Sequence, residues 1–208
     1  MSRFTGWPQA AFDVLLQLDG DPSTAERERL RRDRERLVRA PMIALMRDVA
    51  DADVAYDDFF VWGFAKMLWP WQRQLAVARV QPGVEVSVGL SLDGLEVAAT
   101  GWFGGGEPLQ RYRAAVADDR SGPQLVTITR SLGKAGYAFH GDRLIRAPRG
   151  YPADHPRADL LRYRRLVAIR DLGDGAWLHT PDAVRRVLDE FGRLRPLTAW
   201  LGRHAFDS

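Results

Sequence analysis

The sequence predicts an α+β protein, an antiparallel sheet flanked by helices in a single domain. Three observations carry this expectation. Residues 75–80, 84–92 and 95–103 are rich in apolar and β-branched side chains, and Pro82-Gly83 and Asp93-Gly94 between them are strong turn signals. On either side of that block, apolar residues recur at helical spacing: Ala11, Phe12, Leu15 and Leu16 before it, and Val184, Val187, Leu188, Phe191 and Leu194 after it. A chain of 208 residues with 46% hydrophobic content is also large enough to bury a core. The expected organisation is N-terminal helices over 1–50, a β-rich part over 51–104, mixed helices and strands over 105–172, and C-terminal helices over 173–208.

Taken in order, Gly6-Trp7-Pro8 introduces a short amphipathic helix, with Pro8 suited to its first turn. Gly20-Asp21-Pro22 ends it, and Ser23-Thr24-Ala25-Glu26 has the pattern of a capping box. The helix that follows is densely charged, with a thin stripe of Leu30, Leu37 and Val38. Its Glu28–Arg32 and Glu35–Arg39 pairs have the favourable i,i+4 order, and its other charges read as a solvated face. Pro41 is expected to kink or restart the helix, with Met42, Ile43, Leu45, Met46 and Val49 more deeply buried. Residues 54–64 read as a strand. After the three-stranded meander, residues 108–118 form a helix with Leu109, Tyr112 and Val116 inward, and a second helix starts at Ser121. Residues 166–172 are a last strand. Thr180-Pro181-Asp182 then opens the C-terminal helix, which Pro196 is expected to restart.

Composition narrows the chemistry. With no cysteine there is no disulfide, thiolate nucleophile or Cys-based metal site. The four histidines, His140, His155, His179 and His204, lack the spacing of helical or hairpin metal ligands, so no metal and no cofactor is expected. A net charge of +3 is too small to imply nucleic-acid binding, and in the charged helix the acids Glu26, Glu28, Asp33 and Glu35 dilute the arginines. The glycine-rich stretch 101–108 does not match a phosphate loop or a dinucleotide fingerprint, and Glu107 sits where a phosphate would. The opening MSRFTGWPQAAF has no apolar run of signal-peptide type, and the apolar stretch 59–71 is too short and interrupted to span a bilayer. No membrane association and a cytoplasmic location are the expectations.

Two segments carry candidate chemistry. In 59–71, Phe59, Phe60, Trp62, Phe64, Trp69 and Trp71 exceed what one strand face needs, so the segment is core, pocket lining or interface. In 136–165, which reads as strand, polar turn, strand, stiff loop and helix, Pro148, Gly150, Pro152 and Pro156 make a loop with little freedom to lose on folding. That loop presents Arg149, Tyr151, Asp154 and His155. Asp154 or His155 is expected to cap a helix starting near Pro156, with Arg149 as a surface partner of Asp154. The same residues admit an anion site, or a general base in His155.

The order Gly6-Trp7-Pro8, Arg39-Ala40-Pro41-Met42, Gly104 to Pro108, Gly141-Asp142 through Pro148-Arg149-Gly150-Tyr151-Pro152 and Asp154-His155-Pro156 to Leu160-Leu161, and Arg195-Pro196-Leu197 with Trp200-Leu201 resembles the domain of unknown function 2461 family, a group of conserved hypothetical proteins in bacteria and fungi. The resemblance implies a fold and boundaries and brings no established activity. Typical members carry an Asn-rich turn and a Trp-Phe pair where this chain has Asp21-Pro22 and Glu26-Arg27. They also carry a polar motif, Arg-x-x-Arg-Phe-Ser-x-Asp-Lys-x-Pro-Tyr-Lys, opposite residues 60–72. Here only Phe64 and Pro70 match it, with Trp71 in place of its tyrosine and Lys66 at a variable position. The resemblance thus implies that a charged site has become an aromatic one.

Three readings follow. The first is a protein that binds a small apolar or aromatic ligand through Trp62, Phe64, Lys66, Trp69, Trp71, Arg149 and Tyr151. The second is an enzyme using His155 with Asp154 or Arg149. The third is an interaction module whose aromatic patch forms a homo-oligomer or a partner complex.

Overall fold

The computed structural model describes residues 3–63 and 71–206. The α+β class is the one expected. A six-stranded antiparallel sheet has the order β1-β2-β3-β4-β6-β5, from β1 (Phe59–Val61), β2 (Gln74–Gln81), β3 (Val84–Ser91), β4 (Gly94–Gly101), β5 (Ala138–His140) and β6 (Leu166–Gly173). The helices are α1 (Gln9–Gln17), α2 (Thr24–Asp33), α3 (Ala40–Ala52), α4 (Glu107–Ala117), α5 (Ser121–Lys134), α6 (Ala158–Leu161) and α7 (Asp182–Leu201). The central hairpins β2–β3 and β3–β4 turn where Pro82-Gly83 and Asp93-Gly94 place them, and Gly94 needs its freedom. Its φ is +103°, and a Cβ there would lie 2.1 Å from Gly173 O. Val84, Val86, Val88 and Leu90 alternate with more exposed residues along β3 until Gly89, which is buried as well.

The chain divides into two compact units. The first comprises Met1–Ala78, Ser87–Val97 and Asp171–Phe191. Its core is built from Trp7, Leu15, Leu18, Val38, Met42, Leu45, Met46 and Val49. Tyr56 meets Phe191 at 4.9 Å between ring centroids. The Trp7 indole N–H donates to Val38 O at 3.2 Å, tying the N-terminal segment to the helices. The second unit comprises Arg79–Val86, Ala98–Arg170 and Gly192–Ser208. Phe103 stacks on Tyr112 at 4.1 Å, and Trp200 meets Tyr112 edge-on at 6.1 Å. Burial drives the Tyr112 phenol far above its ordinary value, and its hydroxyl donates to Leu160 O at 2.9 Å. Arg157 closes the C-terminal end of α4, donating to Val116 O at 2.6 Å and Ala117 O at 2.7 Å. Asp118 opens α5. Its carboxylate accepts from the N–H groups of Arg120 and Ser121 and from the Ser121 hydroxyl, and these bonds lower its pKa to about 2.

Several expectations are corrected. Of the strand expected over 54–64, the described residues 54–63 are not one strand. Asp53 Oδ1 accepts the Ala55 N–H and caps a 3₁₀ turn over Val54–Tyr56, leaving β1 only three residues. The second strand expected in 136–165 is reduced to an isolated bridge, Arg143 to Tyr163, because Asp142 O accepts from Arg164 and Arg165 and draws the chain into a loop. Pro8 stands at the N-cap of α1 and not in its first turn. Leu16 of α1 is 64% exposed and does not join the core. Pro41 does mark a restart as expected: after a wide π-type turn over Arg34–Arg39 that follows α2, α3 begins at Ala40 with the proline in its first turn, where its missing N–H costs little. Pro196 lies inside a continuous α7. The charged helix is not solvated throughout, because Arg34 is fully buried.

Candidate functional site

Arg34 organises the ground around the aromatic segment. Leu30, Arg34 and Val38 are spaced by four, so the arginine projects from the apolar stripe. Its guanidinium donates through Nε to Trp71 O at 3.3 Å, through Nη1 to Gln74 Oε1 at 3.0 Å and through Nη2 to Arg73 O at 2.8 Å. Burial lowers its pKa to about 10. Gln74 passes the network on, its Nε2 donating to Trp62 O at 2.9 Å and Leu75 O at 3.2 Å. Arg39 does the same from the next turn, donating through Nε to Trp62 O at 3.1 Å and through Nη2 to Val61 O at 3.1 Å. Backbone on both sides of residues 64–70 is therefore held by charge-assisted hydrogen bonds from one helical arm.

The side chains on this frame are aromatic and cationic. Phe60 is 41% exposed, and its ring meets Trp62 edge-on at 5.6 Å. The Arg27 guanidinium lies 4.6 Å from the centroid of the Trp71 ring. Arg73 is paired with Glu96, and burial lowers its pKa. Among the buried polar atoms with no hydrogen-bond partner among the described residues are the Trp62 indole Nε1 and the Gln72 Oε1. An unpaired buried donor or acceptor costs on the order of 1–3 kcal/mol, so each would gain by meeting a ligand group of opposite hydrogen-bonding character.

Of the site residues expected from the sequence, Trp62 and Trp71 stand on this frame, while Phe64, Lys66 and Trp69 lie outside the described residues. Arg149, Tyr151, Asp154 and His155 belong to the second unit. There the loop is a chain of turns, with Tyr151 N–H donating to Pro148 O, His155 N–H to Pro152 O and Ala158 N–H to His155 O. Asp154 caps no helix and does not pair with Arg149, and both are exposed. Instead His155 Nδ1 accepts the Arg157 N–H at 3.0 Å, and α6 begins two residues beyond Pro156. A backbone N–H only donates, so this nitrogen carries the lone pair and the neutral ring's proton is on Nε2. No hydrogen bond or ion pair joins His155 to Asp154 or Arg149 among the described residues.

As site residues, Arg27, Arg34, Arg39 and Gln74 are not expected from the sequence. The four-residue spacing of Leu30, Arg34 and Val38 is the signal that finds the central one.

The fold and this frame define a helix-flanked antiparallel α+β protein with an aromatic segment pinned by arginines. A family model described as conserved hypothetical protein (DUF2461) matches residues 65–200, well over half of the chain, and the chain belongs to that family. The resemblance read from Gly6, Trp7 and Pro8 reaches beyond the matched span. No curated protein and no solved structure matches the chain.

Proposed function

We propose that the protein binds a small, neutral aromatic ligand at the segment that carries Trp62 and Trp71. The observation that carries this reading is the buried Trp62 indole N–H, which has no acceptor among the described residues. Such a donor favours a ligand oxygen or nitrogen, and the exposed Phe60 ring beside it offers apolar contact. The arginine frame supports the reading by fixing Trp62 and the 71–74 backbone before any ligand arrives, which lowers the cost of ordering on binding.

The test is a thermal-shift panel of neutral aromatic compounds, half with a carbonyl or ring-nitrogen acceptor and half without. Wild-type protein is expected to be stabilised by acceptor-bearing members, and Trp62→Phe, which removes the N–H and keeps an aromatic ring, to lose most of that stabilisation. A panel with no stabilising member contradicts the proposal, as does equal stabilisation of the variant.

A further inference from the structure

The first unit holds a second feature that the aromatic segment does not use. Gly6 has a φ of +108°, and a Cβ there would lie 2.1 Å from the backbone carbonyl carbon of His179. The N-terminal segment thus runs backbone against backbone along the 3₁₀ turn Ala176–His179. Two hydrogen bonds fasten it: Trp7 N–H donates to Leu178 O at 2.9 Å, and His179 Nδ1 lies 2.6 Å from Trp7 O. A carbonyl oxygen only accepts, so Nδ1 carries the proton and, in the neutral ring, Nε2 keeps the lone pair. Phe12 meets the imidazole edge-on at 5.6 Å and restrains its plane.

This oriented ring stands on the wall of a cleft of about 370 Å³. Asp13 and Asp174 line the same cleft, and neither has an ion-pair partner among the described residues. Leu16, Leu92 and Leu178 supply an apolar wall, and Leu16 is the α1 residue left out of the core. The chain has 30 lysines and arginines against 27 acids, yet none of the described residues lining this cleft is a lysine or arginine. Negative charge, a lone-pair nitrogen and an apolar wall share one space.

We propose that this cleft binds a small organic ammonium ion with an apolar body. The ammonium donors face Asp13, Asp174 and His179 Nε2, and the body lies against the leucines. The apolar wall is what favours an organic cation over a bare ion, and the carboxylates are what favour a cation over the neutral ligand of the aromatic segment.

The test is calorimetric titration with phenethylamine, using phenethyl alcohol as a neutral control of the same shape. The amine is expected to bind at least about fivefold more tightly than the alcohol, the effect of partly exposed charge pairs. Asp174→Asn and His179→Gln are each expected to weaken the amine by about two- to fivefold and to leave the alcohol unchanged. In wild-type protein the nitrogen resonances of the His179 ring give a readout independent of any variant's folding, with Nε2 shifting on amine addition while Nδ1 holds its place. Equal affinity for amine and alcohol, no amine binding in the millimolar range, or an Nε2 resonance that does not move would each overturn the proposal.

Discussion

Replacing Arg34 by methionine keeps most of the buried volume and removes the guanidinium. Trp71 O, Gln74 Oε1 and Arg73 O then each lose a charged donor. Leaving a buried acceptor unmet costs about 1–3 kcal/mol; the Gln74 bond is buried and the other two are part-buried, so ~2 kcal/mol for Gln74 and ~1 kcal/mol for each of the others give a loss of about 4 kcal/mol. Against this, the variant no longer holds a cation out of water. The lowered pKa of Arg34 shows that burial opposes its charge, and relief of about 2–3 kcal/mol is reasonable for a group of this kind. The net expectation is a destabilisation of about 1–2 kcal/mol. Arg34→Lys keeps the charge and loses the planar fork, so it is expected to fall between the two proteins. Urea unfolding at neutral pH, followed by circular dichroism, measures the loss. The assigned indole N–H resonances of Trp62 and Trp71 report their surroundings, which bulk emission from seven tryptophans would not resolve. An Arg34→Met protein within about 0.5 kcal/mol of wild type would refute the view that this arginine holds the aromatic segment.

Other consequences are open to measurement. The Asp118 carboxylate has a folded pKa of about 2, below its ordinary 3.8, so its charge contributes stability above the ordinary value that is lost as pH falls toward 2. Asp118→Asn, which keeps an acceptor oxygen, is therefore expected to be less stable than wild type at neutral pH, with the gap closing between pH 4 and 2, roughly the span of the shift; a gap independent of pH would contradict this. Gly6→Ala forces a Cβ onto the His179 backbone at a positive φ and is expected to cost about 2–4 kcal/mol in urea unfolding, whereas an unchanged midpoint would contradict the close approach.

Sequence legibility followed the range of the interactions. Pro82-Gly83 and Asp93-Gly94 fix their turns locally, so the meander was readable. The stripe of Val187, Phe191 and Leu194 is readable for the same reason, because its period is a property of one helix. Asp118 escaped notice because Ser121 is itself a good capping residue and masks the aspartate three positions before it. The sequence of loop 148–157 offers Asp154 or His155 as a helix cap; His155 Nδ1 accepts the Arg157 N–H one residue before α6 begins, and neither side chain caps the helix itself. Arg34 was taken for one more solvated charge, although its spacing from Leu30 and Val38 marks the buried face. His179 was beyond reach, because the carbonyl that fixes its tautomer lies 172 residues away.

The Trp62 indole N–H, buried with no acceptor among the described residues, is the donor that the proposed ligand meets. The most direct measurement is its proton and nitrogen resonance during titration with the acceptor-bearing aromatic compound that stabilises the protein most. A downfield shift of that one indole proton is expected, saturating with the same affinity as the thermal stabilisation. At ligand concentrations near a hundred times Kd, that stabilisation should reach about 5–10 °C. An indole resonance that stays in place while the ligand saturates the protein would move the binding site away from Trp62 and overturn the proposed function.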